Sequence, residues 1–437
     1  MAQGLLAQLQ IVNPLELYLT TMNIAFFTNN YKPFVGGVPI AIENLATELR
    51  ERGHHVHIFA PEYGKGDEED VDVFRTWSIK NFNDSSFVLP IPLALSTYLT
   101  FNDVQADIVH VHHPFLLGMS GLRAARAENL PVVFTYHTQY EKYAHYLPWD
   151  SEMVREMAVG IATRFANSCD AVIAPSTDIQ KQLVERGVDC PIRVIPTGVD
   201  LAQFEGGNAS WLRERFGIAS GDKILLFVSR LAKEKNVQFL LESFAKLAQE
   251  TGGVHFVLVG SGEEEQALKD LAAGRGLSTQ THFAGTLKGE DLVSAFKGAD
   301  LFVFASVTET QGMVVLEAMA AGCPVVAVDA PGVRDVVEDG RNGYLVADGD
   351  VEAFTARCRE ILANDDLRAA FRKEALERAK QLSLSRTTQQ VEELYAEVIK
   401  SPHPDRTERF LLVREFIRYH VNKISDGISA LSTPDGS

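Results

Sequence analysis

The sequence predicts an α/β protein built from two doubly wound, mainly parallel domains. Three observations carry this. The chain has 437 residues, enough for two sizeable cores. Short apolar runs rich in β-forming residues alternate with helical patterns along most of its length, as expected when helices cover both faces of a parallel sheet. The stretch from Asp300 to Asp329 shows one complete repeating unit. A buried strand spans Leu301 to Ala305, a polar loop Ser306 to Gln311, and a helix starts at Gly312; Gly322 and Pro324 stop it before the next strand, which ends at Val328.

Hydrophobic residues make up 46% and charged residues 23% of the chain, an ordinary globular balance. The net charge of −17 argues against nucleic acid as a partner. Cys169, Cys190, Cys323 and Cys358 are far apart and form no C-x-x-C pair, so a reducing, cytoplasmic setting is expected, with neither a disulfide framework nor a zinc site. Residues 1–21 read as an N-terminal extension. They lack a basic start, and Asn13, Pro14 and Glu16 interrupt the apolar run that a signal peptide needs. No stretch reaches the roughly 18 uninterrupted apolar residues of a membrane-spanning helix.

The first domain is expected over residues 22–200. Met22 to Thr28 is a strand, Asn29 to Gly37 a loop ending in Gly36-Gly37, and Val38 to Arg52 a helix with Ile42, Leu45, Ala46 and Leu49 on one face. His55 to Ala60 is the next strand. The glycines do not form G-x-G-x-x-G, so the dinucleotide fingerprint is absent, and on their own they read as a tight turn. Further strands are expected at Val71 to Phe74, Asp107 to His112, Val132 to Tyr136, Ala171 to Ala174 and Arg193 to Ile195. His110, His112 and His113 read as a strand end facing a cleft, since no second group of ligands accompanies them. Between Thr135 and Trp149 the chain packs four tyrosines, two histidines and a tryptophan. His137 directly follows a buried strand, where active-site groups collect. The rest is either an aromatic loop packed on the next helix or one wall of an acceptor site, to which amphipathic rings are suited.

Leu201 to Asp222, with Gly206-Gly207 and an isolated Trp211, reads as a linker to a second domain over residues 223–385. Its first strand, Ile224 to Ser229, leads into Arg230-Leu-Ala-Lys-Glu-Lys235, which reads either as a diphosphate clamp or as a solvated charged loop. Later come His255 to Val259 with Gly260-Ser-Gly262, too short a glycine pattern to mean much, and His282 to Ala284 with Gly285-Thr286-Leu287. In the central unit, Glu309 lies beyond the carboxyl end of a strand and Glu317 lies in the following helix, with seven residues between them. Ligands bind at such strand ends. The helix start at Gly312-Met313-Val314 offers unpaired N–H groups and partial positive charge, which suit a phosphate. Carboxylates on either side would accept from hydroxyls, the layout of a nucleotide sugar. Glu309 as a helix cap and Glu317 as a surface charge is the plainer reading. Against it, Val314, Val315, Leu316, Ala318 and Met319 surround Glu317 with apolar groups, and a carboxylate there needs a partner.

Residues 386–437 are expected to hold a last helix and an amphipathic tail. From Arg409 to Ile424, Phe410, Val413, Phe416, Ile417, Val421 and Ile424 share one helical face opposite Arg414, Arg418 and Asn422. Such a helix suits an anionic membrane surface, and equally suits docking on the protein itself.

The run E-T-Q-G-M-V-V-L-E-A-M-A-A-G-C-P-V-V, from Glu309 to Val326, resembles the Glu-x7-Glu signature of retaining glycosyltransferases of family 4. Arg230 to Lys235 is similar to that family's G/S-R-L-x-x-E-K pattern, and Ile195 to Asp200 resembles the N-G-V-D motif closing its first domain. The segment H-T-Q-Y-E-K-Y from His137 is most similar to the bacterial diacylglycerol 3-glucosyltransferase branch. The resemblance spans roughly residues 22 to 400. It implies the GT-B fold, two Rossmann-like domains facing a cleft, with a last helix (Val391 to Ile399) crossing back to the first. It implies a hexosyltransferase that moves a hexose, by branch glucose, from a nucleotide sugar to a hydroxyl with retention. UDP-glucose is the expected donor and GDP-mannose the runner-up. Diacylglycerol or another membrane lipid is the expected acceptor; alternatives are a mannosyltransferase acting on phosphatidylinositol, a polyprenyl-linked glycan or a soluble sugar. A nucleotide-sugar epimerase of the same fold is a more distant rival.

By the same resemblance, His137, Glu309, Arg230 and Lys235 are the catalytic set. The donor would meet Gly36, Gly37, Arg230, Lys235, Thr286, Leu287, Glu309, Gly312, Met313, Val314 and Glu317. Arg230 and Lys235 would hold the diphosphate, Glu309 the sugar hydroxyls, and Glu317 the ribose. Tyr140, Tyr143 and His145 would meet the acceptor. The family's G-G-x-x-E loop appears here as Pro331 to Asp335, with proline for the first glycine and aspartate for the glutamate, so its contacts stay open. Asp70-Val71-Asp72 and Asp348-Gly349-Asp350 match the metal-binding Asp-x-Asp of another glycosyltransferase fold, but an acidic run and a turn account for them. No metal or other cofactor is expected. The enzyme is expected in the cytoplasm, with peripheral contact to the inner face of an anionic membrane.

Overall fold

The computed structural model describes residues 21–34, 36–64, 72–80, 88–91, 95–141 and 152–401, together with residues 409, 413, 415 and 418. The first domain contains β1 (Asn23–Phe27), β2 (His55–Pro61), β3 (Val73–Thr76), a small antiparallel pair β4 (Ser78–Ile79) and β5 (Leu89–Pro90), then β6 (Ile108–Val111), β7 (Val132–Thr135), β8 (Ala171–Ala174) and β9 (Ile192–Val194). The main sheet has the order β3-β2-β1-β6-β7-β8-β9, and every pairing in it is parallel. The second domain contains β10 (Lys223–Val228), β11 (Val254–Val259), β12 (Thr281–Gly285), β13 (Leu301–Phe304), β14 (Val325–Val328) and β15 (Gly343–Val346), in the order β12-β11-β10-β13-β14-β15, again all parallel.

Both sheets therefore run outward from a central strand to one edge and then restart on its other side. The reversal lies between β1 and β6 in one domain and between β10 and β13 in the other. At such a point neighbouring crossover helices diverge, and the crevice beyond the strand ends accepts ligands. The central strands are apolar throughout because helices cover both faces: every residue of β6, β7, β8, β13 and β14 is buried.

The segment expected as a linker is not a free connector. Leu201–Phe204 forms a 3-10 turn and Trp211–Phe216 a helix, and Phe204, Leu212 and Ile218 are buried in the second core. Its glycines and single tryptophan hid a short apolar pattern, Phe204, Leu212 and Ile218, spread too thinly to show a period. The last helix runs Leu384–Lys400, starting earlier than expected. It packs on the helix Gly37–Glu51, and Val391, Leu394, Tyr395 and Val398 complete the first domain's core. Backbone bonds from Val199 N to Leu382 O (3.1 Å) and from Leu384 N to Val199 O (2.8 Å) fasten its start beside the I-P-T-G-V-D motif. Glu392, 1% exposed, accepts from His54 Nε2 and Arg52 Nη1, each at 3.0 Å.

Of the amphipathic tail, Val413 is buried while Arg409, Glu415 and Arg418 are exposed. Arg409 donates to Asn167 O at 3.1 Å and to Asp189 Oδ1 at 2.6 Å, so this point of the tail is held on the first domain. Phe410, Arg414, Phe416, Ile417, Val421, Asn422 and Ile424 lie outside the described residues. Among the described residues no helix is long and apolar enough to cross a membrane.

Candidate active site

β10 ends at the second domain's reversal point, and the Arg230 turn follows it directly. Leu231 and Ala232 are buried anchors, and Lys233–Lys235 is one turn of 3-10 helix. Lys235 is thereby drawn inward to 8% exposure, where its Nζ donates to Glu309 Oε1 at 2.6 Å. Arg230 stays about half exposed, with Nη2 2.6 Å from Glu234 Oε1. The G-S-G run, given no weight on sequence, shapes this turn. Leu231 N donates to Ser261 O at 2.9 Å and Glu264 N to Leu231 O at 3.0 Å. Gly260 has φ +135°, and a Cβ there would lie 1.8 Å from Ser229 O. Two glycines at the end of the strand next to a cationic turn were the available signal.

Glu309 stands in a loop clamped from both domains. Gln311 is buried and pairs with the backbone of Thr197 in both directions, accepting from its N–H at 2.6 Å and donating to its O at 2.8 Å. Thr310 Oγ1 donates to His137 O at 2.8 Å. Gln139 Nε2 donates to Glu309 O at 3.0 Å and to Thr308 O at 3.3 Å. Beneath the loop, Gly332 (φ +78°) comes so close that a Cβ would lie 2.7 Å from Thr310 C. The structure thus brings Lys235, Glu309 and the His137 backbone together. Sequence reasoning missed Gln139, Gln311 and Thr197, whose roles depend on contacts between domains, and Gly332, whose role depends on the fold of the loop above it.

The helix start differs from expectation. The helix spans Met313–Ala320, but Gly312 N donates to Gly332 O at 3.3 Å and Met313 N to Gln311 O at 2.8 Å. Of the three amides expected to be unpaired, Val314 N alone has no acceptor among the described residues. The fold of the loop, which had been read simply as polar, consumes the other two. Glu317 is partly buried, with no hydrogen-bond or ion-pair partner among the described residues. Burial against its apolar neighbours pushes its carboxyl up to about 7.

On the facing domain, Gly37 is the first residue of a helix and Gly36 precedes it in extended conformation. A Cβ at Gly37 would meet nothing within 4 Å, so packing within the protein does not demand glycine there. The three strand-end histidines do not face an open cleft, as had been expected. His110, His112 and His113 are 0%, 1% and 6% exposed; Phe26 packs on His110 and His112, Tyr395 of the last helix meets His110, and His113 is bonded to Thr28 and Asn29. His137 is partly buried, and its Nε2 lies 3.0 Å from His112 Nδ1. Burial and the neighbouring imidazoles hold His112 and His137 well below the usual histidine range.

Tyr140 is packed edge-on against Phe115 and Tyr136, and its buried hydroxyl has no partner among the described residues. This places it at the margin of the first core. Tyr143 and His145 lie outside the described residues. Thr286 is exposed beside Ser261 (3.1 Å between hydroxyls), and Leu287 packs on the second core. The Pro331 to Asp335 loop fastens the domains. Asp335 accepts from Thr177 N at 2.9 Å and Thr177 Oγ1 at 2.8 Å, while Arg334 reaches Asp178 Oδ2 at 3.3 Å. Asp350 is spent capping a helix through Ala353 N (2.9 Å) and Asp348 accepts from Asn236 Nδ2 at 3.4 Å, whereas Asp70 lies outside the described residues.

The site therefore brings two sheet ends together, with cations and carboxylates on one side and the partly buried His137 on the other. Residues 35–203 match the model of Glycosyltransferase Family 4, and residues 211–378 that of Glycosyl transferases group 1. The chain is 33% identical over 394 residues to the alpha-monoglucosyldiacylglycerol synthase of Streptococcus pneumoniae, covering 87% of each chain. It is 29% identical to the synthase of the same name from Acholeplasma laidlawii, covering 74% of this chain and 84% of that one. Among solved structures, HepE of Anabaena in complex with UDP superposes with a TM-score of 0.71 at 22% identity, over 86% of this chain and all of that one, a likeness of fold. The chain belongs to glycosyltransferase family 4 and has the GT-B fold. It is an enzyme, a glycosyltransferase.

Proposed function

We propose that this enzyme transfers glucose from UDP-glucose to the free hydroxyl of diacylglycerol, with retention at the anomeric carbon. The observation that carries the donor half is the Lys235–Glu309 pair at the reversal point of the second sheet, directly below the backbone of His137. The acceptor half is supported by the 33% identity to a monoglucosyldiacylglycerol synthase along 87% of both chains. In this reading residues 22–200 serve the acceptor and 223–385 the donor.

Arg230 and Lys235 stabilise the charge that grows on the departing diphosphate. Glu309 orients the sugar through its hydroxyls, and Glu317 accepts from the ribose diol. The bond from the anomeric carbon to the phosphate oxygen breaks, and a bond to the acceptor oxygen forms on the same face. The acceptor proton passes to the leaving phosphate. Val314 N, a helix-start amide with no acceptor among the described residues, donates to the phosphates, and Gly37 leaves room for their approach. The reading requires neither metal nor redox cofactor. It places the enzyme on the cytoplasmic face of the membrane that supplies its acceptor.

The test is a transfer assay with purified protein, UDP-glucose or GDP-mannose, and vesicles with or without diacylglycerol, products being read by mass. Glucosyl-diacylglycerol formed without added metal is the expected result. Slow donor hydrolysis without lipid product would remove the lipid acceptor and keep the donor site. Isomerised nucleotide sugar in the absence of acceptor would replace the reading with an epimerase.

A further inference from the structure

We propose that His112 is a positioning residue that fixes the ring tautomer of His137, so that His137 presents an N–H rather than a lone pair to the cleft. The argument starts with how His112 is held. Its ring lies between the edge of Phe26 (centroids 4.8 Å apart) and the ring of His110 (4.2 Å). His110 cannot turn, because Nδ1 is 2.5 Å from the Tyr395 hydroxyl and Nε2 is 2.6 Å from Thr135 Oγ1. His112 is thereby pinned with Nδ1 toward His137 Nε2 at 3.0 Å, and one of these two nitrogens must carry the shared proton.

The other nitrogen of His112 decides which. His112 Nε2 is shut off from solvent and has no hydrogen-bond partner among the described residues. If the His112 proton sat on Nε2, a buried N–H would have no acceptor. If it sits on Nδ1, the proton is used and only a lone pair is left over. Buried N–H groups without acceptors are rarer than under-used acceptors, which selects the second state. Both rings are held uncharged by burial, so no extra proton relaxes the choice. His112 Nδ1–H then donates to His137 Nε2, and the single proton of His137 must lie on Nδ1. That atom has no hydrogen-bond partner among the described residues and keeps some exposure, so it is left to meet a ligand. Thr310 Oγ1, bound to His137 O at 2.8 Å, fixes the residue's backbone against the Glu309 loop.

An imidazole in this state is a hydrogen-bond donor to oxygen and cannot take a proton through the atom it presents. Resting on the proposed transfer reaction, this makes His137 a donor to a sugar or leaving oxygen and leaves deprotonation of the acceptor to the phosphate.

The test is nitrogen-15 NMR of the full-length enzyme labelled at histidine, with the His137 ring signals identified by their loss in His137→Gln. Expected is a protonated Nδ1 and an unprotonated Nε2 for His137 in the unaltered enzyme. His112→Leu should lose this state and lower kcat about 10-fold to 100-fold, the range for losing a partner that orients an active imidazole, with little change in the KM for UDP-glucose. His112→Asn, whose amide N–H can stand where Nδ1–H stood, should recover much of kcat. A protonated Nε2 on His137 in the unaltered enzyme overturns the proposal, whether or not the variants fold. So does a His112→Asn enzyme that folds and is as slow as His112→Leu. Should the tautomer be as expected while His137→Gln turns over normally, the role of His112 stands and the placement of His137 at the sugar falls.

Discussion

Replacing Glu317 by glutamine removes an ionisable proton and almost no volume. The carboxyl titrates near 7 in the folded protein, against an ordinary value of 4.5, because burial penalises the anion. That difference is worth about 3 kcal/mol at 1.4 kcal/mol per tenfold, an upper figure. The sign follows from linkage. A raised folded value means the folded state holds the proton more tightly, so stability is full below about pH 4.5 and declines as pH rises to about 7. Glutamine has no such decline. At pH 5 the two enzymes should unfold at similar urea concentrations. At pH 8.5, without ligand, Glu317→Gln should be the more stable by up to about 3 kcal/mol. With UDP present the order should narrow, because a ribose diol donating to the carboxylate recovers the lost solvation only in the unaltered enzyme. Glu317→Gln should also bind UDP more weakly at pH 8.5, read by calorimetry. Equal destabilisation of the variant at both pH values would refute the reasoning. It would mean that the carboxyl serves the fold and is not held in reserve for a ligand.

Three further substitutions separate chemistry from architecture. Lys235→Met removes the cation paired with Glu309 at 2.6 Å and should lower kcat by about 100-fold to 1000-fold, measured as UDP release. Gly260→Ala places a methyl 1.8 Å from Ser229 O at φ +135°, which displaces the Arg230 turn. It should cost about 1–3 kcal/mol in urea and weaken UDP binding beyond that cost in stability. Glu392→Ala strips the acceptor from His54 and Arg52 at a buried position and should cost about 3 kcal/mol in unfolding of the first domain, with UDP affinity in the folded enzyme unchanged.

The parts of this molecule legible in its sequence are those governed by neighbours along the chain. Four strands of the second domain, β10, β11, β13 and β14, were expected within a residue or two because each is a short, mainly apolar run, and β13 and β14 are buried on both sides, whereas β15 was not expected. The burial of Glu317 was legible for the same reason, since its apolar neighbours are adjacent in sequence. What could not be read depends on approach through space. Gln311 and Thr197 are 114 residues apart, and nothing in either local pattern announces that an amide will bridge two domains. Gly260-Ser-Gly262 looked like a short glycine pattern of little weight because Ser229 O, the atom Gly260 makes room for, lies at the end of the neighbouring strand. The helix-start amides were counted as unpaired from a general rule, and the carbonyls of Gly332 and Gln311 that take two of them are products of the loop's own fold.

The site's charge arrangement makes sense only with a ligand in view. A folded chain with no function to serve has little reason to leave Glu317 without a partner among the described residues, to draw Lys235 to 8% exposure, or to leave space above Gly37. Each feature costs the empty protein something, and a nucleotide sugar supplies the complement to each. In the proposed reading the diphosphate would answer Lys235 and Arg230, the ribose Glu317, and the sugar hydroxyls Glu309. The loop bearing Glu309 is held by Gln139, Thr197 and the carbonyl of His137, all from the opposite domain. Glu309 is therefore placed only when the two domains stand as they do here. The position of Glu309 is thus tied to the domain arrangement through hydrogen bonds from uncharged groups, while the charged pair Arg334–Asp178 and Asp335 fasten the domains elsewhere.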